Sequence, residues 1–442
     1  MKRLIEDKLI AWKNRPNKMP LLLFGARQVG KTTTVIDFGK AQYSNTVVFN
    51  LESNEALQNV FDGDLSPARI ISELETYSGQ SLQKGATLIF FDEIQACPKA
   101  LTALKYFCEE APRYHIAAAG SLLGVALNRG RKKQDDSIAA AVSYPVGKVE
   151  ILTMFPMTFE EFLLNVNPLL SAEIKKRYES LSPLSEIAHK KALELFRAYL
   201  YTGGMPQAVF AYCEQKDLDA VRIRQNEIHA LYSLDMAKYT TAAEQIKIKA
   251  IYASVPAQLA KENKKFQYSL IKSGARAAAY EEGLEWLAAA GLIIKCGKAG
   301  AGRLPLSSYI DLQSYKIYLS DVGLLNAKGN IPKNIVLTQS GLGGEAKGAM
   351  TENYVAQELV AGGHTIAYWE SQGKAEVDFL IQTEDGVIPV EVKAQTNTQA
   401  KSLKEYVCKF DPKYSIRISA KNFGFENDIK SIPLYAVFCL KP

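Results

Sequence analysis

Residues 25–32, with the sequence GARQVGKT, are the part of the chain best suited to bind phosphate. Their spacing is that of the G-x-x-x-x-G-K-[ST] loop, in which glycines let backbone N–H groups close around phosphate oxygens. The loop follows an apolar run at 20–24, which predicts a buried strand, and precedes a helix-like segment at 32–39, whose start favours an anion. The sequence therefore predicts a phosphate site made by Gly25, Ala26, Arg27, Gln28, Val29, Gly30, Lys31, Thr32 and Thr33.

Two carboxylates at the end of a second apolar run would complete this site. The run 87–91 (TLIFF) predicts a buried strand that ends in Asp92 and Glu93. We expect Lys31 to contact the β- and γ-phosphates, and the Thr32 hydroxyl and Asp92 to hold Mg²⁺. Glu93 would then orient or activate the attacking water. A solvated turn is the alternative for an Asp-Glu pair, but the uniformly apolar run before it favours the metal site.

Composition sets the outer limits of the prediction. The 442 residues suffice for two or three domains, and 47% hydrophobic and 23% charged residues are typical of a globular soluble protein. The net charge of +6 permits a nucleic-acid partner without requiring one. No stretch approaches the ~18–20 apolar residues of a membrane span. Six scattered cysteines and four histidines predict reduced thiols, a cytoplasmic location and no zinc site.

The order of elements predicts an α/β fold with four parts. Up to about residue 160, strand-like and helix-like segments alternate, as in a parallel sheet with helices on both faces. Residues 161–240 are helical in pattern, and 241–330 predict a winged-helix-like module with helices at 246–260 and 275–290 and wing strands at 291–296 and 314–319. The last part is 331–442. A charge run at 128–136 is best read as a solvated loop, although Arg129 and Arg131 could serve a neighbouring subunit's phosphate.

The motifs together resemble a prokaryotic family of ATPases that join an AAA-type core to a C-terminal domain of unknown function. The resemblance is carried by GARQVGKTT, by FFDEIQ at 90–95 and by FPMTFEEFL at 155–163. It implies ATP and Mg²⁺ as cofactors and a helical lid at 161–240. The family pattern has Gly-Arg shortly before the third motif, whereas this chain has Gly147 and Lys148. The positive charge is kept, but the guanidinium that could act as a phosphate-contacting arginine finger is missing at this position.

Two further residues gain a role from resemblance. Ser121 follows a predicted strand at 115–119, and in AAA-type ATPases a polar residue at this strand end senses the γ-phosphate; a Gly-Ser pair is also common in ordinary turns. The segment 203–206 (GGMP) resembles the G-x-P signature of STAND-type signalling ATPases, which implies that Pro206 lies near the adenine. The alternative reading is a helix end, with glycine as the cap and proline as the stop.

A second group of carboxylates lies near the C-terminus. Asp378 lies near the start of one predicted strand at 376–381, and Glu391 and Lys393 share one side of the next by the two-residue alternation. This order resembles the PD-(D/E)xK nuclease signature, which implies Mg²⁺ on Asp378 and Glu391, with Lys393 orienting water or stabilising the developing charge. Glu352 would contribute from a helix. Glu376 lies on the same face as Asp378, but its place at the strand start predicts a solvated neighbour.

Two functions remain open at this point. In the first, ATP hydrolysis controls a nuclease-like domain that acts on DNA or RNA. In the second, the chain is a nucleotide-dependent signalling or scaffold switch, and its nuclease-like fold only binds. Lysines and an arginine near the predicted winged-helix-like module would favour nucleic acid, although such modules often serve as internal packing elements. The cations are Lys261, Lys264, Lys265, Lys272 and Arg276. Assembly into a homo-oligomer is left open.

Overall fold

The computed structural model describes residues 1–121, 145, 147–261, 264–338, 341, 343–371, 375–393 and 401–442, except for the side chains of Leu312 and Lys401. The chain divides into two compact units. The N-terminal unit contains residues 3–155 and 289–291, and the C-terminal unit contains residues 1–2, 156–288 and 292–442. The predicted charge-run loop, with Arg129 and Arg131, lies outside the described residues.

A five-stranded sheet forms the centre of the N-terminal unit. Its strands are β1 (Leu21–Phe24), β2 (Asn45–Asn50), β3 (Thr87–Asp92), β4 (His115–Ala119) and β5 (Glu150–Thr153). They lie in the order β2-β3-β4-β1-β5, and every pair is parallel. All six residues of β3 are buried, which explains why its sequence is a continuous apolar run rather than an alternating one. The predicted parallel α/β arrangement is confirmed for this part of the chain.

Helices pack on this sheet. They are α1 (Ile5–Asn14), α2 (Lys31–Gln42), α3 (Glu55–Asn59), α4 (Pro67–Ser78) and α5 (Pro98–Glu110), with a short 3₁₀ helix at Ile94–Ala96. Local signals set their limits: the Ser66 side chain caps the start of α4, and Gly79, with φ 64°, ends it. Because β1, β3 and β4 are parallel neighbours, the segments after their carboxyl ends meet at one edge of the sheet. That edge carries the predicted phosphate loop.

Helices occur along the whole length of the C-terminal unit. They are α6 (Phe159–Val166), α7 (Pro168–Ser180), α8 (Glu186–Thr202), α9 (Pro206–Gln215), α10 (Leu218–Lys238), α11 (Ala242–Leu259), α12 (Ala277–Ala289), α13 (Val322–Lys328), α14 (Lys333–Thr338), α15 (Gly344–Ala361) and α16 (Lys401–Phe410), with 3₁₀ helices at Tyr268–Leu270, Leu306–Tyr309 and Leu434–Cys439. Thr158 and Glu161 form a reciprocal capping box that starts α6. No helix in the described part of the chain is both long and apolar enough to cross a membrane.

An eight-stranded mixed sheet completes this unit. Its strands are β6 (Ile293–Ala299), β7 (Ile310–Leu319), β8 (Ile366–Ser371), β9 (Ala375–Thr383), β10 (Gly386–Val392), β11 (Ser415–Ser419), β12 (Gly424–Glu426) and β13 (Ile429–Pro433). They lie in the order β12-β13-β11-β10-β9-β8-β6-β7. Strands β9 and β10 form an antiparallel hairpin, and β10 continues into a parallel pair with β11.

The sheet crosses a boundary that the sequence placed at residues 330 and 331. The predicted wing strands correspond to β6 and β7, which pair antiparallel, but β6 also pairs in parallel with β8. This pairing satisfies backbone N–H and C=O groups that an isolated two-stranded wing would leave exposed. Strand periodicity reports that a strand exists but not which strand lies beside it, so the sequence could not reveal the shared sheet.

Candidate active site

The phosphate loop connects β1 to α2, and at two positions its backbone adopts a conformation that favours glycine. Gly25 has φ 148°, and a Cβ there would lie 2.2 Å from the Met154 carbonyl oxygen. Gly30 has φ 94° and stands directly before the first residue of α2, Lys31. Both backbone conformations lie in the region that L-residues with side chains avoid. The loop and the helix start are therefore built by the sequence motif itself, as predicted.

Lys31 lies inside this loop and is only 6% exposed. Its Nζ donates hydrogen bonds to the carbonyl oxygens of Gly25 (2.9 Å) and Ala26 (2.8 Å) and to Ser121 Oγ (3.0 Å). Burial lowers the pKa of Lys31 to about 8, although the nearby Glu93 and Asp92 carboxylates oppose the shift. The partners of this buried ammonium are uncharged oxygens, so it is suited to bind an anionic phosphate group in their place.

Ser121 and Asp92 both reach the phosphate loop from strands on the same side of β1. Ser121 follows β4, which lies between β1 and β3, and its Oγ accepts the hydrogen bond from Lys31 Nζ. Asp92 ends β3, and its carboxylate accepts hydrogen bonds from Thr32 Oγ1 at 2.9 and 3.2 Å. Burial raises the pKa of Asp92, partly offset by the Thr32 hydroxyl. A hydroxyl and a carboxylate at this distance are hard oxygen ligands of the type Mg²⁺ prefers.

Glu93 stands in a backbone conformation that is unusual for its residue type. Its φ and ψ are 51° and 45°, in the left-handed region, where a residue with a side chain is strained. Its Oε2 accepts a hydrogen bond of 2.5 Å from Gln95 Nε2. Gln95 was not predicted from the sequence, although it belongs to the FFDEIQ motif that carried the resemblance.

The predicted finger position lies on the surface of the N-terminal unit. Lys148 forms an ion pair with Glu109 at 3.0 Å, and its side chain is 40% exposed. This hydrogen-bonded carboxylate raises the pKa of Lys148. Lys148 therefore has an ion-pair partner on the surface of its own unit.

The segment 203–206 is held by contacts within the C-terminal unit. The Gly204 N–H donates to Asp321 Oδ2 at 2.5 Å, and its carbonyl accepts from the Met157 N–H at 2.6 Å. Gly203 follows the last residue of α8, and Pro206 is the first residue of α9. These contacts fit the alternative in which glycine ends one helix and proline starts the next. A contact of Pro206 with nucleotide stays a prediction.

The second carboxylate group lies on the β9–β10 hairpin. Asp378 Oδ2 accepts a hydrogen bond of 2.7 Å from the Val392 N–H, which ties the two strands together. Glu391 is 4% exposed; its Oε1 pairs with Lys393 Nζ at 2.5 Å, and its Oε2 has no hydrogen-bond partner among the residues the structure describes. Burial, followed by the charges of Glu391 and Glu352, raises the pKa of Asp378 to about 8. The hairpin therefore brings the predicted residues together, with Asp378 mostly protonated at neutral pH.

Glu352, on α15, is surrounded by donors that the sequence did not predict. Its carboxylate accepts from Tyr318 Oη at 2.6 Å, pairs with Lys316 Nζ at 3.1 Å and also contacts Lys264 Nζ. Burial alone would raise the pKa of Glu352, but the charges of Lys264 and Lys316 lower it to about 2. Both carboxylate oxygens are therefore engaged by protein cations.

Lys316 extends this network to the residue predicted as a solvated neighbour. The Lys316 side chain is 0% exposed and also pairs with Glu376 Oε1 at 2.5 Å. Glu376 is therefore partly exposed, as a solvated neighbour would be, and is also an ion-pair partner, because β7 brings a buried lysine to it. The signal available in the sequence was a lysine among apolar and aromatic residues at 315–319 (YKIYL). Among the described residues, no group of three or more His, Cys, Asp and Glu side chains is arranged to hold a metal ion.

The chain shares domains with known families. Residues 17–163 match the family model of an AAA domain. Residues 193–334 and 347–437 match two domains of unknown function, DUF8612 and DUF4143. No curated protein matches the chain.

The chain is similar to several solved structures at low sequence identity. The Walker-type ATPase paby2304 of Pyrococcus abyssi is 15% identical over 73% of this chain and 94% of that chain, with a TM-score of 0.42. The RuvB Holliday junction branch migration motor of Thermotoga maritima is 15% identical over 66% and 89%, with a TM-score of 0.29. AMPPCP-bound DnaA of Aquifex aeolicus is 12% identical over 64% and 86%, with a TM-score of 0.28.

The AAA match and the loop geometry define the class of the N-terminal unit. Residues 17–163 form an AAA-type P-loop domain, and the chain is an ATPase that binds and hydrolyses ATP.

Proposed function

We propose that this ATPase controls a C-terminal nuclease-like domain that acts on nucleic acid. In the ATPase domain, Lys31 holds the β- and γ-phosphates, Thr32 and Asp92 hold Mg²⁺, Glu93 orients the attacking water and Ser121 senses the γ-phosphate through Lys31. Bound Mg²⁺ would neutralise the charge that develops on the transferred phosphoryl group. The predicted cytoplasmic location belongs to the same proposal, which is compatible with assembly into a homo-oligomer.

The single observation that carries the nuclease part is the arrangement of the β9–β10 hairpin. Glu391 Oε2 is buried without a hydrogen-bond partner among the described residues, and such an atom is costly unless a ligand satisfies it. The neighbouring Asp378 would offer a second carboxylate to the same ligand once it has lost its proton. A divalent cation fits this donor pair, and Lys393 lies beside it, where it would stabilise charge on a phosphate group.

A specific observation favours the second candidate, a nuclease-like fold that only binds. Lys264 and Lys316 already neutralise Glu352, and Lys316 also neutralises Glu376. Carboxylates that lie close together repel one another, and either protein cations or a metal ion can neutralise them. In this case the lysines complete the cluster, and the domain serves the ATPase as a nucleotide-dependent binding or signalling module.

Metal binding separates the two candidates in the full-length protein without nucleotide. We expect Mn²⁺ to raise the melting temperature of the wild type, and Asp378→Asn to remove this effect. The control is Asp92→Asn, which removes the ATPase-site ligand and should leave the effect of Mn²⁺ intact. The effect should be stronger at pH 8.5 than at pH 6.5, because Asp378 must lose its proton to bind a cation.

Nucleic-acid cleavage completes the test. With Mg²⁺ or Mn²⁺ and labelled DNA or RNA, we expect cleavage by the wild type and none by Asp378→Asn or Lys393→Met. Lys393→Met should keep the Mn²⁺ effect on melting, since it is not a proposed metal ligand. A folded wild type with no Mn²⁺ effect and no cleavage would establish the binding module instead.

A further inference from the structure

A buried arginine outside every predicted motif contacts the phosphate loop. Arg3 precedes α1 and is 6% exposed. Its Nη1 donates to the carbonyl oxygen of Val29 at 2.9 Å, and its Nη2 donates to the carbonyl oxygen of Phe155 at 2.8 Å. Val29 belongs to the phosphate loop, and Phe155 follows β5, the strand paired with β1. The planar guanidinium therefore joins the loop to the end of a neighbouring strand.

The contact with Val29 controls the direction of the next N–H group. In a trans peptide, the C=O of Val29 and the N–H of Gly30 point in opposite directions. Arg3 holds this carbonyl, so the Gly30 N–H is fixed on the other side of the peptide plane. Gly30 has φ 94° and no Cβ, so its backbone can rotate more freely than that of any other residue type. Without the hydrogen bond from Arg3, the peptide between Val29 and Gly30 would therefore be free to turn. Loop N–H groups of this kind are the ones that bind phosphate.

The charge of Arg3 acts in the same direction. A guanidinium keeps its proton at all relevant pH values, and burial reduces the screening of its field by water. The two N–H donors of the guanidinium, Nη1 and Nη2, lie in one plane and can bind two carbonyl oxygens at once, which a lysine ammonium does less well. The alternative is that Arg3 only attaches the N-terminal segment to the unit, a role that would affect stability and not nucleotide affinity.

We propose that Arg3 is a positioning residue for ATP binding. It acts through Val29, whose peptide it orients so that the Gly30 N–H faces the phosphates, and its charge adds to the attraction for the polyphosphate. The inference concerns the ATPase domain and is independent of the nuclease proposal.

Nucleotide affinity of the full-length protein tests this role. We expect Arg3→Met to weaken both ATP and ADP binding about tenfold or more, the equivalent of one lost charge-assisted hydrogen bond. The turnover number at saturating ATP should change by less than about threefold, because Arg3 touches neither the attacking water nor Glu93. Arg15→Gln is the matched control: Arg15 lies just after α1, is exposed and pairs with Glu150, and its loss should leave both affinities unchanged.

Arg3→Lys gives a second, milder test. It keeps the charge but reaches one carbonyl at a time, so we expect ATP affinity between those of the wild type and Arg3→Met, at least about threefold below the wild type. If Arg3→Met does not fold, the result for Arg3→Lys decides. Wild-type affinity for ATP in either folded variant would overturn the proposal and leave Arg3 with a purely structural role.

Discussion

Glu358 provides a quantitative test of the way the C-terminal unit is assembled. It lies on α15 and is 1% exposed. Its Oε1 accepts a hydrogen bond of 2.9 Å from the Phe159 N–H at the start of α6, and its Oε2 has no hydrogen-bond partner among the described residues. Burial raises the pKa of Glu358 to about 8 from an ordinary value of 4.5. The charged groups that influence it are Glu160, Glu161 and Lys441.

The sign of the effect follows from proton linkage. Between pH 4.5 and about pH 8, the folded protein holds a proton on Glu358 that the unfolded chain has lost, so this group's contribution to stability falls as the pH rises. At about 1.4 kcal/mol for each pH unit, the full difference is on the order of 5 kcal/mol. Relaxation around the charged group reduces this figure, and we expect about 2–5 kcal/mol.

Glu358→Gln removes this titration while keeping the size of the side chain. We expect the variant to gain stability relative to the wild type between pH 5 and pH 8.5, because the wild type alone must bury a charge at the higher pH. Urea unfolding at both pH values measures the difference, and Glu345→Gln, an exposed position on the same helix, is the control. A difference between Glu358→Gln and wild type that stays constant with pH would refute a buried, protonated Glu358.

Three further substitutions test other parts of the structure. Lys31→Ala should abolish tight ATP binding, measured by calorimetry, because the loop loses its lysine; wild-type affinity would contradict the loop assignment. Lys316→Met should destabilise the protein by about 3–5 kcal/mol in chemical unfolding, since Glu352 and Glu376 lose a buried partner; an unchanged stability would show that this network is not formed. Gly204→Ala should lower the melting temperature, because its Cβ would lie 1.9 Å from the Met157 carbonyl oxygen; an unchanged melting temperature would contradict the tight packing.

Local motifs made the ATPase site predictable from the sequence. Residues 25–32 specify a loop geometry by themselves, and an apolar run that ends in Asp92 can only deliver its carboxylate to the sheet edge. Ser121 was named because a polar residue follows the corresponding strand in the AAA-type ATPases that the sequence resembles. The interaction between Ser121 and Lys31 then depends on β4 lying beside β1, which the sequence does not state.

The remaining contacts are non-local and escaped prediction for that reason. Lys264 and Glu352 are 88 positions apart in the chain, and Lys316 and Glu352 are 36 apart. Alternation along a strand placed Glu376 on the face of Asp378, yet only the pairing of distant strands brings Lys316 to it. Arg3 carries no motif at all, and its role depends on the folded position of Val29.

The turnover of Glu93→Gln tests the central assignment most directly. Asp92, Thr32 and Lys31 remain in this variant, so ATP should bind with wild-type affinity, while loss of the carboxylate that orients the water should slow hydrolysis about 10²–10⁴-fold. Phosphate release under saturating ATP and Mg²⁺, with ATP affinity measured in parallel, gives both values. Hydrolysis by Glu93→Gln at the wild-type rate would contradict the account, because another residue would then have to activate the water.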